Sequence, residues 1–178
     1  VPRHLFLTRG VGHHKEKLRS FEYALENAGI AKYNLVSVSS IIPPRCEIIS
    51  KEKGLSYLRD GQILFGVFAK CESEERRRLL SASIGCALPA DANTCGYISE
   101  HHAYGQTAEE AGDYSEDLAA SMLASALGLP FEPDKSWDQR KQMWKISKKI
   151  VKTTNITQTG LVKEDMWSTV LAAAVFVL

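Results

Sequence analysis

Two adjacent serines, Ser39 and Ser40, stand between the strand-forming residues Leu35, Val36 and Val38 and the run Ile41-Ile42-Pro43-Pro44. Proline offers no N–H to a ladder and restricts the residue before it, so regular pairing must end here. A hydroxyl held beside the preceding carbonyl in such a bend can attack it and turn the amide into an ester, provided donors steady the oxyanion and a base takes the proton. Elimination from an ester between Ser39 and Ser40 breaks the chain into a piece ending at Ser39 and a longer piece starting with dehydroalanine. Hydrolysis then releases ammonia and leaves a ketone at residue 40. The plainer reading is a strand-end turn in which both hydroxyls hydrogen-bond the local backbone.

Other residues carry similar pairs of readings. In a strand from Cys95 to His102 the period of two puts Tyr97 and Ser99 on one face and Ile98 and Glu100 on the other. Glu100 is then either at a sheet edge in water or partly buried, and partial burial would raise its pKa and equip it to donate a proton. Glu22 follows Phe21 at the edge of a helical apolar stripe and reads as a solvated carboxylate. Asn34 offers a donor and an acceptor, either for the neighbouring backbone or for charge near the serine bend. Leu18, Leu25 and Ile41 read as core. Gly10-Val11-Gly12 reads as a turn more readily than as an anion cradle, and His13 and His14 point to opposite strand faces, which disfavours a shared metal ion. The cysteines, Cys46, Cys71, Cys86 and Cys95, show no metal-ligand spacing and read as buried free thiols.

The run Asn27-Ala28-Gly29-Ile30, Asn34-Leu35, Ser39-Ser40-Ile41 and Pro43-Pro44, with Cys95-Gly96 and Glu100 downstream, resembles the pyruvoyl-dependent arginine decarboxylases. The resemblance covers the chain from Leu18 to about Leu127, with a weaker echo in the apolar C-terminal strand. It implies self-cleavage into 1–39 (β chain) and 40–178 (α chain), with a covalently bound pyruvoyl group derived from Ser40 serving as electron sink in place of pyridoxal phosphate or a metal. It implies decarboxylation of L-arginine to agmatine and CO2. Ser39 then supplies the cleavage-site carbonyl, Glu100 the proton, and Asn34 charge stabilisation. Glu22 faces the substrate guanidinium, and Leu18, Leu25 and Ile41 line the pocket around its aliphatic part. It further implies a four-layer αββα sandwich, assembled as trimers of αβ units with active sites between adjacent subunits. The sequence departs from the family pattern at Glu22, where Asp is usual, at Ala31, where Gly is common, and at Tyr33, where a smaller aliphatic residue is usual. Alternatives are therefore another basic amino acid, lysine or ornithine, as substrate, or an uncleaved non-catalytic homologue acting as a scaffold.

The elements that must position these residues follow from patterning. His4 to Thr8 reads as a strand and Arg9 to His14 as a loop. Lys15 to Ala28 is an amphipathic helix with Leu18, Phe21, Leu25 and Ala28 inward and Gly29 as its C-terminal cap. Gln62 to Lys70 and Leu79 to Leu88 read as strands joined by a polar hairpin-like connection and paired antiparallel. Thr107-x-x-Glu110 is a capping box opening a helix with Ala111, Tyr114, Leu118, Met122 and Leu129 on its stripe. Trp137 to Thr157 is ambiguous, and Trp167 to Leu178 is a buried strand by its continuous apolar character. The expected fold is one α+β domain over residues 1–178, with mostly antiparallel sheets packed face to face and helices outside.

With 178 residues, 44% hydrophobic, the chain can bury one substantial core. A net charge of +1 supplies no field to recruit nucleic acid or an anionic membrane. Arg76-Arg77-Arg78 follows a run of glutamates and reads as a solvated turn. No leader pattern is evident at the N-terminus and the longest apolar run, Val170 to Leu178, is too short to span a bilayer, so a cytoplasmic protein is expected.

Overall fold

The computed structural model describes residues 1–129, 135, 138, 139, 142 and 149–178. The elements run β1 (His4–His14), α1 (Lys17–Ala28), β2 (Asn34–Ser37), β3 (Ile41–Ile42), β4 (Glu47–Ile49), α2 (Lys51–Ser56), β5 (Ile63–Ser73), β6 (Leu79–Pro89), β7 (Gly96–Tyr104), α3 (Ala108–Ala126), β8 (Ile150–Leu161) and β9 (Trp167–Val177). They form an α+β fold with a five-stranded sheet, order β2-β5-β9-β1-β4, and a four-stranded sheet, order β3-β7-β6-β8. The first sheet is mixed, with β4 parallel to β1 and β2 parallel to β5. The second is antiparallel.

Strand β9 explains its own composition. Val170, Ala172, Ala174 and Phe176 enter one core cluster, shared with Val67 and Ala69 of β5 and with Leu80, Ile84 and Ile98 of the other sheet. Leu171, Ala173, Val175 and Val177 enter a second cluster with Ala24 and Ala28 of α1. A strand covered on both faces has no polar side to show, which is why it reads as an unbroken apolar run. Ala119, Ala120, Leu123 and Ala124 of α3 form a third cluster with Ala87 and Ile150.

Several expectations are corrected. Residues 9–14 are not a loop: β1 continues to His14, paired with β9 along its length. The glycines are there because α1 lies on them. A Cβ on Gly10 would sit 2.1 Å from the Ala24 carbonyl oxygen, and one on Gly12 2.1 Å from that of Ser20. The same contact rotates the helix. Its buried face is Ser20, Ala24 and Ala28, Phe21 and Leu25 pack at the flank, and Leu18 is 76% exposed. Small residues approach the glycine track and the large ones are turned aside.

Strands β5 and β6 do not pair. β5 lies between β2 and β9, β6 lies between β7 and β8, and the Glu74–Arg78 connection crosses from one sheet to the other. Arg76 and Arg78 there are tied to Glu164 and Glu75, as a solvated turn requires. Helix α3 begins with the expected capping box, Thr107 and Glu110 bonding reciprocally, but its inward face is Ala111, Gly112, Ser115, Glu116, Ala119, Ala120, Leu123 and Ala124, while Tyr114 and Leu118 are exposed. Helix α2 and the short strands β3 and β4 carry too little periodicity to be read in advance. Trp137 to Thr157 lies in part outside the described residues, and from Ile150 onward it is β8. No helix among the described residues is long and apolar enough to cross a membrane.

Candidate active site at the sheet crossing

Strand β2 pairs with β5 from Asn34 to Ser37, and the Val38 N–H extends the ladder by donating to the Gly66 carbonyl at 2.9 Å. Three residues later the chain is in the other sheet, with Ile41 opposite Tyr97 and Ile42 opposite Gly96. The Ser39–Ser40 peptide bond is the crossing between the sheets. The Ser39 carbonyl accepts the Ile41 N–H at 3.0 Å, closing a three-residue turn centred on Ser40. The Ser40 carbonyl accepts the Ile98 N–H at 2.8 Å. A carbonyl that already receives an N–H is polarised toward attack. Among the described residues neither serine hydroxyl hydrogen-bonds the local backbone, so the plain turn reading lacks the contacts it calls for.

Glu100 is on the strand that receives the crossing. Ile98 enters the core between the sheets, Ser99 donates to the Ser115 carbonyl of α3 at 2.5 Å, and Glu100 shares the face of Ile98. With Ser40 bonded to Ile98, Glu100 is one diagonal step further along the same face. The partial burial expected for it is not supplied by its own chain: Glu100 is exposed. Beside it, His101 bonds Gln106 at 2.8 Å and its ring lies 4.3 Å from that of Tyr114.

The other candidates are elsewhere. Asn34 is exposed and donates through Nδ2 to the Gly61 carbonyl at 3.1 Å. Five residues of extended chain put it roughly 16 Å from Ser39 of the same chain. Residues two apart on a helix are about 200° round its axis, so Leu18 and Glu22 point away from the sheet that Ser20 and Ala24 face. Glu22 is held by Arg19, whose Nη1 donates to its Oε2 at 2.9 Å. Leu25 is half-buried against the α1 cluster and Ile41 is 38% exposed. The single chain thus unites Ser39, Ser40, Ile41 and Glu100, and turns Asn34, Leu18 and Glu22 outward. Tyr33, one of the departures from the family pattern, packs into the α1 cluster.

The three buried thiols do not compete with the serine; Cys95 is half-buried, a departure from the expectation of four buried thiols. Burial pushes Cys86 up to about 12 and Cys46 up to about 11, and burial raises Cys71 as well. A thiol so seldom ionised is inert as a nucleophile at neutral pH. Among the described residues no group of three or more His, Cys, Asp or Glu is placed to hold a metal. His13 pairs with Ser168 at 2.7 Å, and His14 accepts the Glu16 N–H at 2.9 Å.

Two features escaped the sequence reading. Arg19 beside Glu22 is visible as an i, i+3 pair of opposite charge. The polar seam under α3 has a subtler signal, small and polar residues where leucines are expected. There Ser83 bonds Ser115 and Thr157, both at 2.7 Å, Thr157 bonds Asn155 at 2.9 Å, and Asn155 bonds Glu116 at 2.8 Å.

A keto terminus at residue 40 fits this arrangement, because Val38 is held by β5 and Ser40 by β7, so both ends of a cut chain stay pinned. Comparison with known proteins points the same way. Residues 4–178 match the family model described as pyruvoyl-dependent arginine decarboxylase. A Chlorobaculum tepidum protein named "Probable pyruvoyl-dependent arginine decarboxylase" is 55% identical over 175 residues, covering 98% of this chain and 97% of the relative. A Nitrosopumilus maritimus protein named "Pyruvoyl-dependent arginine decarboxylase" is 54% identical over 179 residues, covering 100% and 98%. One from Methanosarcina acetivorans, "Pyruvoyl-dependent arginine decarboxylase 2", is 49% identical over 178 residues, covering 99% and 97%. With one family spanning the chain from its first strand to its last residue, this protein belongs to the pyruvoyl-dependent arginine decarboxylases.

Proposed function

We propose that the chain cuts itself between Ser39 and Ser40 into 1–39 and 40–178, and that the matured enzyme decarboxylates L-arginine to agmatine and CO2. The observation that carries this reading is the placing of the Ser39–Ser40 bond at the sheet crossing, its carbonyl bonded by the Ile41 N–H and Glu100 on the adjoining strand. In maturation the Ser40 Oγ adds to the Ser39 carbonyl carbon and the amide nitrogen leaves it. Elimination breaks the Cβ–Oγ bond, and Ser39 keeps that oxygen in its carboxylate. Water then replaces the residue 40 nitrogen, which departs as ammonia.

A pyruvoyl group, when present, supplies a carbonyl that takes up the substrate amine and withdraws electrons as CO2 leaves. The chain's residues do the rest. Glu100 delivers a proton to the α-carbon, Glu22 receives the guanidinium as a planar anionic acceptor, and Leu18, Leu25 and Ile41 enclose the aliphatic stem. Asn34 stabilises charge.

Leu18, Glu22 and Asn34 meet the serine crossing across a subunit boundary, in a trimer of αβ units. What supports this is their outward placing, together with the exposed apolar residues Val36, Val38 and Ile41 along the β2 edge and β3, and Ile63 at the start of β5. Each unit is the family's four-layer αββα sandwich, in keeping with the three core clusters. A cytoplasmic location agrees with four thiols that stay free.

Intact mass under denaturing conditions tests the maturation. The expected result is two chains divided after Ser39, the longer one lighter by one ammonia than a chain starting with serine, and an uncut Ser40→Ala variant. A single uncut wild-type chain overturns the self-cleavage reading. Turnover of the cut protein on lysine or ornithine but not on arginine overturns the substrate.

A further inference from the structure

We propose that Arg19 is an intramolecular occupant of the substrate's guanidinium site, holding Glu22 until arginine displaces it. The inference rests on the reading of Glu22 as the guanidinium acceptor and deepens it.

The Arg19 guanidinium donates from Nη1 to Glu22 Oε2 at 2.9 Å and from Nη2 to the Tyr23 hydroxyl at 3.4 Å, and lies 5.2 Å from the Tyr23 ring centroid. A carboxylate, a phenol oxygen and an aromatic face are what a guanidinium seeks, so the chain has supplied its own ligand to the group that the substrate needs. All three side chains sit on α1: Arg19 and Glu22 on the side away from the sheet, and Tyr23, one turn from Arg19, at the flank with its ring 5.6 Å from that of His14 on β1. Nothing in the core has to move for Arg19 to leave.

Substrate and Arg19 compete for the same carboxylate. A guanidinium binds a carboxylate best in a fork, two parallel N–H donors to two oxygens, and Arg19 already holds Oε2. Both partners are about half exposed, at 49% and 46%, and an exposed pair of this kind is weak. Its grip suffices to raise the apparent KM for arginine by about two- to fivefold and no more. Because the displaced contact re-forms when the guanidinium leaves, Arg19 also favours release of the product, which keeps that group.

The test is a double-mutant cycle on the self-processed enzyme at fixed ionic strength, with the cleaved fraction of each variant measured by mass. Arg19→Gln is expected to lower KM about two- to fivefold with kcat unchanged. Glu22→Gln is expected to raise KM, and in that background Arg19→Gln is expected to do nothing further. An unchanged or raised KM in Arg19→Gln, with Glu22→Gln still raising it, overturns the role of Arg19 and leaves the Glu22 reading standing. A fall in KM that persists in the Glu22→Gln background shows that Arg19 acts through its general field and overturns the proposal too. If Glu22→Gln itself leaves KM unchanged, Glu22 is not the substrate's partner and both readings fall.

Discussion

A serine hydroxyl is a poor nucleophile, and what this fold would give Ser40 in the proposed self-cleavage is position. The Ser39 carbonyl is tied to Ile41 within the turn and the next carbonyl to Ile98 across the second sheet, so the bond is fixed from both sides. The proposed task of Glu100 is separable. It sits beyond Ile98 on β7, exposed, while the backbone contacts that hold Ser39 and Ser40 are made without it. Glu100→Gln is therefore expected to cleave itself as the wild type does and to lose about 10²- to 10⁴-fold in kcat, the range typical of a lost general acid. Mass spectrometry and CO2 release on the same preparation check the two halves. A variant that stays uncut assigns Glu100 to maturation instead, and one with full turnover removes it from the mechanism.

Helix α1 shows how an element positions chemistry through residues that do none. It presents Leu18 and Glu22 outward because Ser20, Ala24 and Ala28 fit against the glycine track of β1. A Cβ on Gly12 would meet the Ser20 carbonyl oxygen at 2.1 Å and the Ala24 nitrogen at 2.5 Å, both of them backbone atoms that cannot step aside. Gly12→Ala must lift the helix. The expected cost is about 1–3 kcal/mol, or roughly 2–12 °C in Tm, with a raised KM because Glu22 moves with the helix; calorimetry and kinetics on the variant measure both. The sequence reading failed at the same place. Two glycines next to paired histidines read as a loop, since a residue without a side chain signals a turn unless one knows what packs on it. The helix stripes read mainly from large apolar residues, whereas close approach selects small ones, Ser20 and Ala24 in α1 and Ser115 and Ala119 in α3, beside the expected Ala28 and Ala111. β9 was legible because burial on both faces leaves one composition. The β5–β6 pairing was not, because a polar connection looks alike whether it turns back in one sheet or crosses to another. Local motifs left the candidate site open, with a plain turn or a nucleophile at the serine pair and a solvated or partly buried Glu100; the resemblance to the family singled these residues out. What no local motif encodes is that Asn34 and Glu22 turn away from the serines of their own chain.

That separation is a statement about the whole molecule. A chain whose proposed proton donor is exposed, whose proposed guanidinium acceptor points off the back of a helix, and whose β2 edge shows Val36 and Val38 to solvent has, on the proposed reading, the halves of a site on different surfaces. Copies related by rotation can bring one surface to the other, and a ring closes only when each copy gives one half and receives the other. This arrangement has a consequence that a self-contained site cannot imitate. A Ser40→Ala chain keeps Glu22 but never matures; a Glu22→Gln chain matures but binds arginine weakly. In a mixed trimer, a Glu22→Gln subunit next to a Ser40→Ala subunit forms a site with a ketone from one and an intact Glu22 from the other. Co-expression of the two variants is therefore expected to produce a population of sites with wild-type KM, seen as a second, high-affinity phase that neither variant shows alone. If Glu22 serves its own chain's residue 40, no subunit in the mixture carries both groups, and the kinetics stay those of Glu22→Gln diluted by inactive protein.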